Sequence, residues 1–111
     1  MNNFGSERHV VLVTATVWLV FGTVIEEHET PYGKVMTLKD CGWVESVGAG
    51  HGVMDLCSAT TAKQQREIAT TCWPMPDGTT IVGIASICPA VRHFKALHMA
   101  READAVREAG S

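Results

Sequence analysis

The sequence predicts an α+β fold: a small mixed domain of short strands and a C-terminal helix, standing behind an N-terminal apolar segment read as a single-span membrane helix. Three observations carry this reading. Residues 10–25, VVLVTATVWLVFGTVI, run without a charge; the rest of the chain is an ordinary polar and apolar mixture; and four cysteines fall at 41, 57, 72 and 88. As an α-helix the run would be roughly 24 Å long at about 1.5 Å per residue, a little short of the ~30 Å hydrocarbon core of a bilayer. As one strand it would be roughly 53 Å long, far beyond the usual five or six residues. No Gly, Pro, Asn or Asp lies between Val10 and Phe21 to make a turn. The alternative is a soluble α+β protein in which residues 10–25 form a central buried strand or strand pair, a choice favoured by their Val, Thr and Ile content.

Around the run, residues 1–9 form an N-terminal tail, and residues 26–34, EEHETPYGK, read as a hinge in which Pro31 and Gly33 bracket a turn. The small α+β domain then occupies residues 35–108. Lys34 to Leu38 reads as a short strand, Asp40 as the N-cap of a brief helix from Cys41 to Val47, and residues 48–52, GAGHG, as the turn that ends it. Val53 to Cys57 reads as a strand. Thr61 followed by Gln64 is a T-x-x-Q capping box, which predicts a helix from Ala62 to about Cys72. Residues 73–78, WPMPDG, break the chain, and residues 79–87, TTIVGIASI, read as the best strand in the domain. Pro89 is placed to open a terminal helix from Ala90 to Glu108, with Val91, Phe94, Leu97 and His98 on one face, and residues 109–111 are a tail.

Behind an export-like segment, four regularly spaced cysteines read as two disulfides, with Cys41 to Cys57 and Cys72 to Cys88 the first pairing and Cys57 to Cys88 with Cys41 to Cys72 the second. No two cysteines approach C-x2-C spacing, so a metal site is not predicted. The chain carries no G-x-S-x-G elbow and no P-loop, and no cofactor-binding motif is legible. A net charge of -3 over 111 residues gives phosphate binding no electrostatic basis, which argues against nucleic acid as a partner. Two residues stand out as partner contacts: Trp73, fixed between a cysteine and Pro74, and His51, held between glycines.

The reading that follows is a small membrane-anchored protein, inserted through residues 10–25 as an uncleaved signal anchor. Its disulfide-stapled domain lies on the exported side and binds another protein rather than catalysing a reaction. The alternative is a cytoplasmic interaction protein, dimeric or inhibitor-like. A small Cys/His enzyme is the third reading, since a thiolate nucleophile would need a histidine base such as His51.

Overall fold

A computed structural model of the chain describes residues 7–94, 97 and 98. The apolar run is not one element. It is two antiparallel strands, β1 (His9–Thr14) and β2 (Leu19–Thr30), joined by a turn at 15–18. They are followed by β3 (Gly33–Val47), α1 (Val53–Ser58), α2 (Ala62–Ile68), β4 (Ala69–Met75), β5 (Thr79–Ile81) and β6 (Ile84–Pro89). Strands hold 54% of the described residues and helix 17%, so the fold is a mostly antiparallel sheet curled into a half-barrel rather than the mixed α+β domain expected.

The sheet order is β4, β3, β2, β1, β6, with β5 also on β3. Every pairing is antiparallel, so β5 and β6 run in the same direction: the chain leaves the β3 edge, passes Val82 and Gly83, and continues along β1. This path curls the sheet, and two interruptions in the β2–β3 register, at Phe21/Thr23 and Val24/Glu26, mark where it bends. Gly22 sits at that bend, where an added Cβ would lie 2.7 Å from the Cβ of Cys41. Asp40, expected to cap a helix, instead adopts φ +48° inside β3, and its N–H is held by an Asp77 carboxylate oxygen at 2.9 Å.

Cross-strand partners share a face, and the faces divide cleanly. Leu12, Val20, Trp43 and Ile87 lie in one row; Val11, Phe21 and Cys88 lie in the next. The first row belongs to the core inside the curl, with Val10, Met36, Leu38, Cys41 and Ile81. The second faces α1 and α2 and packs with Leu56, Cys57, Ile68, Phe94 and Leu97. Sandwiched between two cores, β1 and the first half of β2 need apolar side chains on both faces, and this is why the run carries no charge. No helix among the described residues is long and apolar enough to cross a membrane. The signal-anchor reading, and the exported placement of a domain behind it, therefore lose their basis.

Other expected elements change type. Cys41 to Val47 is strand, Val53 to Cys57 lies in a helix, and the predicted hinge at 26–34 is the end of the β2–β3 hairpin. The α2 helix starts where the capping box puts it, Gln64 N–H donating to Thr61 Oγ1 at 3.1 Å, but it gives way to β4 after Ile68. The predicted strand 79–87 is split at Val82 and Gly83. Pro89 ends β6, and residues 90–94 follow it as irregular chain rather than the start of a terminal helix. Most of that predicted helix lies outside the described residues. Phe94 and Leu97 are buried against the α1 and α2 core, with the Phe94 ring tilted 43° against Phe21 at 5.0 Å between ring centroids.

Candidate functional site

The β1–β2 turn contains none of the usual turn residues, and its hydrogen bonds show how it forms without them. Thr14 N–H donates to the Trp18 carbonyl at 3.0 Å, and Val17 N–H to the Thr14 carbonyl at 2.8 Å. The Thr14 hydroxyl oxygen accepts from Trp18 N–H at 3.1 Å and meets the Thr16 hydroxyl at 3.0 Å. Threonine hydroxyls here supply the local backbone bonds that Asn or Asp would otherwise make. Ala15 N–H adds a bond to the Gly83 carbonyl at 2.7 Å, fixing the turn to the β5–β6 connection. Val17 sits at φ +60°, a conformation that β-branched side chains rarely adopt.

This restrained turn puts apolar groups into solvent. Val17 is 80% exposed and Trp18 52% exposed. Trp18 lies on Trp43, ring centroids 4.7 Å apart and planes inclined by 24°. Trp43 is directly opposite Trp73 on β4, so three indoles from three elements share one face of the sheet at one end. The Trp73 Nε1–H donates to Glu45 Oε1 at 2.6 Å. Leu19 is opposite Val44, so Trp18 and Glu45 both lie just beyond the last pair of the β2–β3 ladder, at the same end of the sheet.

Of the residues singled out in the sequence, Trp73 therefore belongs to this cluster and His51 does not. His51 lies before α1, on the face covered by helices. There it lines a cleft of about 330 Å³ with Asp55, Ser58, Gln64 and Glu67. Its Nδ1 is 3.5 Å from Asp55 Oδ2, and Asp55 also accepts from Gly52 N–H at 2.8 Å. A His, an Asp and a Ser in one cleft suggest a hydrolytic triad, but the Ser58 hydroxyl donates to the Met54 carbonyl at 2.9 Å, as helix serines commonly do. The Gln64 side-chain oxygen is likewise occupied, accepting from Thr60 and Thr61 N–H groups.

The cysteines are not paired: all four are free thiols, three of them buried. Cys41 lies in the core inside the curl and Cys57 in the core beneath the helices, so the sheet separates the first predicted disulfide pair. Burial pushes the Cys41 thiol up to about 11. Burial and then the neighbouring Cys88 thiol push Cys57 up to about 12. Neither supplies a thiolate near neutral pH, which is what a nucleophilic cysteine requires. His98 Nδ1 meets the Cys41 carbonyl at 2.9 Å. Among the described residues, no group of three or more His, Cys, Asp and Glu side chains stands together as a metal site.

Compared with known protein families, curated proteins and solved structures, the chain matches none of them. The candidate site therefore rests on its own geometry. Trp18 and Glu45 escape a reading of the sequence because Trp18 lies within the apolar run and Glu45 within a stretch that reads as helix. For Trp18 the local signal was the Thr14 and Thr16 pair, which marks a hydroxyl-stabilised turn.

Proposed function

We propose that this chain is a protein-binding module whose contact surface is the Val17, Trp18, Trp43 and Trp73 cluster. The observation that carries the reading is the β1–β2 turn, which holds a β-branched residue at positive φ so that Val17 and Trp18 stand in solvent. Strained backbone persists where surrounding bonds enforce it, and it concentrates at binding sites. Exposed tryptophans with a fixed orientation are the residues that most often dominate interface energetics. The fixed turn also limits the ordering cost of association, because the apolar groups are presented before the partner arrives.

Photo-crosslinking in the native cell tests this. A benzophenone side chain placed at position 17 should give one predominant adduct, one placed at Met54 on α1 should give none, and Trp18→Ala should abolish the adduct at 17. Adducts of equal yield from positions 17 and 54 would show that the aromatic end has no special role. A predominant adduct from Tyr32 alone would move the contact to the tip of the β2–β3 hairpin, where that side chain is 97% exposed.

A further inference from the structure

We infer that the partner presents an arginine side chain to this cluster, its guanidinium stacked on Trp18 and paired with the Glu45 carboxylate. The inference rests on reading the aromatic end as a protein-contact surface and names the chemistry it selects. Glu45 is exposed on the face that carries the three indoles, and one of its oxygens is fixed by the Trp73 N–H at 2.6 Å. A carboxylate offers about four acceptor positions over two oxygens, so this bond orients the group without saturating it. Among the described residues Glu45 forms no ion pair. The acids that pair with Lys or Arg lie elsewhere, Glu27 with Arg8 and Lys34, Glu29 with Lys34 and Glu7 with Lys39.

A fixed negative charge beside half-exposed indole faces selects a cation. The faces of the rings carry negative charge density, so a cation above them is attracted by both the π-system and the carboxylate. Anionic ligands are disfavoured by the same group, and the chain's net charge of -3 adds to the repulsion. Between the two common cations, geometry favours guanidinium over ammonium. It is planar and so matches the stacked Trp18 and Trp43 rings, it is more weakly hydrated, and it forms forked hydrogen bonds with a carboxylate. The intrinsic strength of such a contact is modest, and a short peptide carrying it should bind at about the millimolar level.

The test uses the full chain with 15N-labelled tryptophan and two peptides, acetyl-Gly-Arg-Gly-amide and its citrulline counterpart, which keeps the shape and removes the charge. The arginine peptide should shift the indole N–H signals of Trp18 and Trp73 saturably, and the citrulline peptide should bind about tenfold more weakly. Glu45→Gln keeps an acceptor for Trp73 and should weaken the arginine peptide by about the same factor while leaving the other indole signals in place, which shows that the fold is intact. Equal binding of both peptides, or an unchanged affinity in Glu45→Gln, would overturn the charge pairing. So would the absence of any saturable shift at about 50 mM arginine peptide, well above the affinity expected. Failure of the contact-surface reading has a different signature, since the crosslinking contrast between positions 17 and 54 would then disappear whatever the peptides do.

Discussion

At the scale of single residues, backbone conformation explains most of what is unusual here. Val17 at φ +60° costs on the order of 1–2 kcal/mol relative to an unstrained position, because its branched Cβ crowds the following carbonyl. Its side chain recovers little of this, being largely in solvent. Val17→Asn should therefore raise stability by about 1 kcal/mol, read as a higher denaturant midpoint at unchanged slope. A lower midpoint would show that Val17 is not strained. Gly42 is constrained by space instead. An added Cβ would meet the Trp73 carbonyl oxygen at 2.5 Å and the Phe21 ring at 2.7 Å, so this strand position requires the absence of a side chain.

At the scale of elements, the β1 strand is tied to the segment after β6 by more than its ladder. Ala90 N–H donates to the His9 carbonyl at 2.7 Å, and the His9 ring meets His93 edge-on at 5.6 Å. His9 Nδ1 also bonds to the buried Thr23 hydroxyl at 2.9 Å. Burial first, and then the His93 charge, hold His9 below its ordinary value near 6.5, with Glu7 and Asp40 acting in the opposite direction and Lys39 in the same one. The sign follows from linkage. The unfolded chain takes up this proton more readily than the folded one, so the His9 contribution is present above about pH 6.5 and is lost as pH falls through the depressed folded value. Stability measured from pH 7.5 to 5 should decline, and His9→Asn should flatten that part of the profile. An identical decline in the variant would assign the effect to other groups.

At the scale of the molecule, two cores share one sheet. The core inside the curl is built from strand residues alone, whereas the outer one depends on α1, α2 and the chain after β6. Phe94 is fully buried there against Phe21, so Phe94→Ala should cost about 3–5 kcal/mol, whereas Trp18→Ala, which loses half-exposed stacking, should cost less than about 1.5 kcal/mol. Thermal unfolding of both variants checks the contrast. Equal losses would place Trp18 in the structural core and remove the basis for treating it as a contact residue.

Signals that act within a few residues were legible in the sequence. Thr61 and Gln64 mark the start of α2 because the capping bonds close locally, and of the break expected over 73–78 only Pro76 to Gly78 follows from proline and glycine geometry, Trp73 to Met75 being part of β4. Tertiary structure decided the rest. An apolar run long enough for a membrane helix is equally suited to two strands buried on both faces, and only pairing with β3 and β6 distinguishes them. Val53 to Cys57 and Cys41 to Val47 exchanged their expected types for the same reason, since short segments take the conformation that fills the neighbouring core. The Trp18, Trp43 and Trp73 cluster joins positions far apart in the chain. Its existence depends on strand register, which is set by packing across the whole sheet.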